Sequence, residues 1–170
     1  PPDAGKLWGA RDVAGGLLLP GFTDAHVHPI QGGLERLACD LSDSAVDRAA
    51  YLAHIGEYVA AHPQLEWVQG GGWAMAAFPG GLPEKAVLDA VVSDRPAFLV
   101  SYDGHTGWAN SPALLAAGIT RSAKDPPGGV VVRDGNGEPT GALKEEPAMA
   151  AVRRLIPPPT PDRKVRALKR

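Results

Sequence analysis

The chain has 170 residues, 44% of them hydrophobic, with 17 basic against 19 acidic side chains and a formal net charge of -2. That balance leaves no electrostatic footprint for nucleic acid or an anionic membrane surface, and no apolar run approaches the roughly 20 residues that a bilayer-spanning helix needs. The composition is that of a globular chain of one domain, or one domain with an appendage, and the single cysteine, Cys39, excludes an internal disulfide and fits a reducing, cytoplasmic setting.

In chain order, Leu17 to Leu19 and Phe22 to His28 read as extended segments in and after the apolar run "LLLPGF". "SDSAVDRAAYLAHIGEYVAAHP" predicts a helix from about Ser44 to Ala61, capped by Ser42 or Asp43 and closed by Pro63, with Val46, Ala49, Ala50, Ala53 and Tyr58 near one face. "EWVQGGGW" predicts a short strand running into a glycine turn. "LPEKAVLDAVVSDRP" predicts a helix with Pro83 near its first turn, and "AFLVSY" a buried strand. "NSPALLAAGI" predicts a compact helix with Asn110 or Ser111 as cap, Pro112 in the first turn and Gly118 as the stop. "GGVVVRDGNGEPTGAL" is the clearest hairpin, because Asp-Gly and Asn-Gly at its tip favour positive φ. A helix from about Glu145 to Leu155 follows, ended by "PPPTP", and Pro161-Asp162 opens another. Strands separated by helices predict an α/β fold with a parallel sheet and the hairpin as a local antiparallel insertion, the pattern of an incomplete barrel. The start at "PPDAGK" and the end inside a helix-like stretch predict a piece of a longer protein.

Chemistry concentrates in "TDAHVHP". Alternate side chains of an extended segment share a face, so Asp24, His26 and His28 point one way while Ala25 and Val27 point the other. Two imidazoles at i and i+2 can converge on one metal ion, and a carboxylate two residues earlier can orient a ligand histidine. The alternative is a pair of surface or helix-capping histidines. Elsewhere, His54 and His62 read as solvated helix histidines, and Cys39 as a buried structural thiol with only Arg36 as a basic neighbour. His105 in "DGHTGWAN" follows a strand and either faces a pocket or bonds the turn around Asp103 and Asn110. Trp108 either walls that pocket or packs on the following helix, and Asn110 reads as a helix cap. There is no Gly-x-Ser-x-Gly, no phosphate loop and no Cys-x-x-Cys, and "GGGW" is too short for a phosphate cradle.

The segment "PGFTDAHVHP" resembles the opening motif of the amidohydrolase superfamily, a Pro-Gly-Phe/Leu-x-Asp-x-His-x-His signature at the end of the first barrel strand, and every position of it is present. "SYDGHTGWANSPALLAAGIT" and "DPPGGVVVRDGNGEPTGALKE" are similar to stretches typical of amidohydrolase family 3, the subgroup that includes N-substituted formamide deformylase-like enzymes. Together the likeness runs from about Leu17 to about Pro157.

The resemblance implies an α/β protein that is part of a (β/α)8 TIM-barrel metal-dependent hydrolase. It divides the chain into the end of a flanking β-sandwich segment over 1–20, the first barrel strand and its helix over 21–62, an inserted α/β segment over 63–157 with its hairpin at about 129–143, and the start of a helix over 158–170. It implies His26 and His28 as ligands to one or two divalent ions, zinc foremost, with Asp24 behind them and with His105 and Trp108 lining the substrate site. Lys144 matches the lysine that is often carboxylated to bridge two metals in this superfamily; read from the residues alone, it is equally a solvated lysine opening a helix beside Glu145 and Glu146, with Glu145 as an alternative oxygen ligand. The implied reaction is hydrolysis of a non-peptide carbon-nitrogen bond in a small-molecule amide by a metal-activated water, the catalytic aspartate and distal histidines lying beyond Arg170. No histidine follows His105, so the 170 residues alone are expected to hold metal weakly or not at all and to be inactive. The competing expectation is a non-catalytic α/β binding or structural module. Trp73, Phe78 and Trp108 hint at an aromatic leaving group, or simply pack a core.

Overall fold

Directly after His28 the chain forms α1 (Pro29–Arg36), a helix the hydrophobic pattern does not announce but which starts with Pro29, whose fixed φ suits a first helical turn. The structure, a computed structural model, describes residues 14–17 and 19–169. The expected β-sandwich segment over 1–20 falls mostly on 1–13 and Leu18, outside the described residues. Phe22 to His28, expected to be extended, is irregular and exposed throughout, as is Gly21 before it. A strand needs a neighbour for its amides and carbonyls, and no described strand lies beside this one.

After β1 (Cys39–Asp40) comes α2 (Arg48–Ala61), which begins later than its hydrophobic pattern suggested. Asp47 caps it, accepting the Ala50 N–H at 3.0 Å. The expected caps are engaged elsewhere: Ser42 donates to Asp40, and Asp43 accepts from Arg36 at 2.8 Å. Then follow β2 (Val68–Trp73), α3 (Lys85–Asp89), β3 (Ala97–Ser101), β4 (Thr106–Ala109), α4 (Ser111–Ala116), β5 (Val130–Arg133), β6 (Pro139–Lys144), α5 (Glu145–Arg153) and α6 (Pro161–Ala167). The α3 helix is shorter than expected and leaves Pro83 outside it, whereas the hairpin, the buried strand at Ala97 and the cap and stop of α4 lie as the sequence indicates.

All six strands join one sheet in the order β1-β2-β3-β4-β6-β5. The pairs β1–β2 and β2–β3 are parallel; β3–β4, β4–β6 and β6–β5 are antiparallel. The sheet is therefore mixed, not parallel with a peripheral hairpin, because β4, absent from the sequence reading, returns alongside β3 and carries the hairpin with it. What the described residues form is a mixed α/β fold, an open six-stranded sheet with helices on both faces.

Register fixes the two faces. Leu99 stands opposite Trp108, and Trp108 opposite Ala142, so this side of the sheet carries the aromatic core, covered by Tyr51 and Ile55 of α2 and Leu88 of α3. Phe98 and Leu143 face the other side, against Ala113 and Leu114 of α4 and Met149 and Val152 of α5. Two glycines permit this closeness. Gly72 sits at the bulge in β2 with φ +87°, and Gly107 lies under the Phe98 ring, where a Cβ would come within 2.4 Å. No buried side-chain nitrogen or oxygen among the described residues lacks a hydrogen-bond partner. No helix among them is long and apolar enough to cross a membrane.

Candidate metal-binding site

The His26 and His28 rings converge although no strand holds them. Their Nε2 atoms lie 3.0 Å apart with the rings nearly edge to face, one nitrogen donating to the other in this arrangement. Two nitrogens bound to one ion at about 2.0–2.1 Å lie about 2.9 Å apart at a right angle and about 3.4 Å apart at the tetrahedral angle, so the pair matches two adjacent corners of a metal's coordination shell. Asp24 supports the pair through the main chain, its Oδ1 accepting the His26 N–H at 2.9 Å, and not through the imidazole as expected. His28 occupies the cap position of α1, and its carbonyl accepts the Gly32 N–H at 3.0 Å, which ties the motif to that helix.

A cavity of about 840 Å³ lies between α1, the carboxyl ends of β1 to β3 and the segment after α5. Gln31, Asp40, Gly71, Ser101, Glu146 and Arg163 are among its walls. Carboxyl ends of parallel strands are where open α/β sheets bind ligands, because loops and free strand-end polar groups meet there. The histidine pair is one helical turn from this wall and does not itself line it. Among the described residues no three His, Cys, Asp or Glu side chains come together as a ligand cluster.

His105 sits in the tight turn between β3 and β4, mostly exposed. Asp103 organises that turn by accepting from Ser101 Oγ at 2.5 Å and from the His105 N–H at 3.1 Å, and these bonds hold its carboxyl below the usual range. The imidazole Nδ1 meets Glu145 Oε2 at 3.1 Å, a bond that, with the charge of Glu145, raises the His105 pKa above that of an ordinary histidine. This contact across 40 residues is not among the sequence expectations, which place Glu145 at a helix start or as an alternative metal ligand. Nothing in the local pattern marks it.

Lys144 ends β6 opposite Thr106, on the face that carries Trp108 and Ala142. The cavity is walled by Phe98 and Val100 on the other face, and Lys144 bonds neither His26 nor His28. Trp108 departs from its expected place in a pocket wall. It has no exposed surface, donates Nε1–H to the Glu84 carbonyl at 3.0 Å and packs against Trp73 and Phe78, so in this chain it is a core residue, as are its two aromatic partners. Asn110 is the helix cap expected of it and more: Oδ1 accepts from Ala113 N and Ala97 N, while Nδ2 donates to the carbonyls of Val92 and Arg95.

The other candidates are structural. Cys39 is fully buried, and that burial, with Asp40 beside it, pushes its thiol up to about 12. His62 stacks on Tyr58 at 4.2 Å and bonds its carbonyl, and His54 meets Ser44 Oγ at 3.3 Å.

Comparison with known proteins gives this geometry a context. YtcJ of Bacillus subtilis (strain 168), a protein named as an amidohydrolase, is 39% identical over 146 residues, which cover 85% of this chain and 27% of YtcJ. The N-substituted formamide deformylase of Arthrobacter pascens is 36% identical over 152 residues, covering 86% of this chain and 27% of that enzyme. Protein LONG AFTER FAR-RED 3 of Arabidopsis thaliana is 34% identical over 132 residues, 78% of this chain and 22% of that protein. The chain thus spans about a quarter of the length of these relatives. Its fold is similar to part of the crystal structure of an uncharacterized metal-dependent hydrolase from Pyrococcus horikoshii OT3, with TM-score 0.57 and 23% identity over 88% of this chain and 27% of that one. The amidohydrolase family profile matches residues 10–170, and the chain belongs to the amidohydrolase family.

Proposed function

We propose that this chain is the part of a metal-dependent amidohydrolase that supplies the first two metal ligands, His26 and His28, in an enzyme that hydrolyses a non-peptide carbon-nitrogen bond of a small amide. The observation that carries the reading is the 3.0 Å approach of the two Nε2 atoms inside a complete family motif. In this reading Gly21 to His28 lies at the end of the first strand of a (β/α)8 barrel, and β2 to β6 of the mixed sheet belong to the inserted α/β segment over 63–157.

His26 and His28 would hold a divalent ion of the zinc type, which would supply polarisation of the scissile carbonyl and a more acidic water. The chain's own residues do the rest of what is proposed here. The two imidazoles bind through Nε2; Asp24 fixes the turn that aims them; His105, half of an exposed ion pair with Glu145, offers a proton-carrying group at a strand end. Lys144 would be a further ligand as a carbamate, its amine taking up carbon dioxide with loss of a proton to water. In support, the two acids that follow it are engaged elsewhere, Glu145 with His105 and Glu146 with Arg153, so the amine is not tied up in an ion pair.

Two imidazoles fall short of the three protein ligands usual at a catalytic zinc. The 170 residues by themselves therefore bind zinc or cobalt weakly and do not turn over amides. Equilibrium dialysis with Co(II), read by metal analysis and visible absorption, tests this: binding is expected to vanish in the His26→Ala, His28→Ala double variant. Binding that survives the double substitution overturns the ligand assignment and favours a non-catalytic module. Steady release of amine from an N-formyl amine by the purified chain overturns the expectation of inactivity.

A further inference from the structure

The β6–α5 junction holds a backbone conformation that needs a reason. Glu145 has φ +65°, and Ala14 is the one other non-glycine residue in the described structure with positive φ. A side chain in the left-handed region crowds the following carbonyl, so the conformation persists only where the surroundings hold it. Here the hold is double. The Glu145 N–H donates to the His105 carbonyl at 2.8 Å, and its carboxylate meets His105 Nδ1 at 3.1 Å. The next acid, Glu146, is bound by Arg153 at the far end of the same helix. Lys144, followed in sequence by these two carboxylates, pairs with neither.

We propose that Glu145 is a positioning residue for Lys144: its left-handed turn, clasped by His105, keeps the adjacent carboxylate off the Lys144 amine and leaves that amine open to a small electrophile. Turning one residue into the left-handed region swings its side chain to another side of the chain, and the bond to His105 retains it there. The inference rests on the reading of Lys144 as a reactive lysine, but it concerns the amine itself and needs neither metal nor substrate to be tested.

The probe is acetic anhydride, applied as a short pulse to the 170-residue chain and read lysine by lysine by mass spectrometry, with exposed Lys124 and Lys164 as internal references. The Lys144 nitrogen attacks the anhydride carbonyl, an N–C bond forms, acetate leaves and a proton passes to water. Lys144 is expected to react at a rate comparable to the references although it is only half-exposed. His105→Ala frees the Glu145 carboxylate to pair with the amine and slows Lys144 about two- to fivefold, the range of an exposed ion pair, with the references unchanged. Adding Glu145→Gln to His105→Ala removes the competing charge and restores the original rate, which a purely structural role for His105 does not predict. His105→Gln, which keeps a donor, retains the wild-type rate, and Glu145→Gly, which takes the left-handed turn without strain, does so as well. An unchanged or faster Lys144 in His105→Ala overturns the proposal, and so does a slowing that Glu145→Gln fails to reverse. Should His105→Ala not fold, a slowed Lys144 in His105→Gln or Glu145→Gly overturns it equally. Failure of the metal-ligand reading shows in the cobalt dialysis instead, so the two failures are distinguishable.

Discussion

The sheet body and the histidine segment are ordered by different means. In the sheet, Trp73, Trp108 and Asn110 have no exposed surface, and every buried polar side-chain atom described is bonded. From Gly21 to His28 every residue is exposed, Phe22 to 94%, and the segment is shaped by three local contacts: Asp24 to the His26 N–H, ring to ring between the histidines, and the His28 carbonyl to Gly32. Burial makes a residue expensive to change, whereas local hydrogen bonds in water contribute little net free energy. Substitutions in the sheet should therefore register as stability, and substitutions in the segment as ligand binding.

The strongest attack on that contrast is Trp108→Ala. It empties the meeting point of Trp73, Phe78 and the Glu84 carbonyl, and truncations of buried large aromatics cost about 3–5 kcal/mol. Urea denaturation followed by far-UV circular dichroism measures the loss. A midpoint within error of wild type means Trp108 is not the core residue its burial indicates, and reopens its role as a pocket wall.

A second, smaller effect sharpens the same point through pH. The Cys39 thiol is raised from an ordinary 9.0 to about 12 by burial first and Asp40 second. The folded state thus binds this proton more tightly than the unfolded chain does. Its stabilising contribution is complete below about pH 9 and is lost progressively as pH rises toward 12. At about 1.4 kcal/mol per pH unit, the loss attributable to Cys39 reaches roughly 2 kcal/mol near pH 10.5. Because tyrosines and lysines also titrate there, the measurement is the stability difference between wild type and Cys39→Ala at about pH 7 and about pH 10.5. The difference is expected to shift by roughly that amount in favour of the variant; parallel pH profiles contradict a buried, neutral thiol.

How much of this was legible in the sequence follows the same division. The hairpin at "DGNG", the Asn110 cap, the Gly118 stop and the buried strand at Ala97 are set by local chemistry, turn residues and caps, which the chain displays openly. The mixed sheet was not legible. Thr106 to Ala109 is only four residues long, contains a glycine and follows a turn, so its pairing with β3 and β6 is decided by Phe98 and Leu143 across the sheet and not by any period of its own. The late start of α2 turned on a competition among Ser42, Asp43 and Asp47 that the ion pair to Arg36 resolves. At the site, the histidine pair could be anticipated because two imidazoles so close in sequence have few ways to avoid one another. The His105–Glu145 contact could not, since it depends on β4 and β6 being neighbours and on a backbone angle that glutamate seldom adopts.

The smallest stability effect is expected where the chemistry is proposed to lie. Replacing both His26 and His28 by alanine removes exposed rings that bond each other, so without metal the unfolding free energy should stay within about 0.5 kcal/mol of wild type. With cobalt added, the wild-type chain alone should gain stability, because an ion that binds only the folded state stabilises it in proportion to the logarithm of its concentration over its dissociation constant. A thermal shift titration of both proteins over a range of Co(II) concentrations measures both halves at once. Equal metal-dependent shifts place the ion elsewhere in the chain. A large loss of stability in the metal-free variant means the segment is held by more than its three local contacts, and the line drawn between it and the sheet fails there.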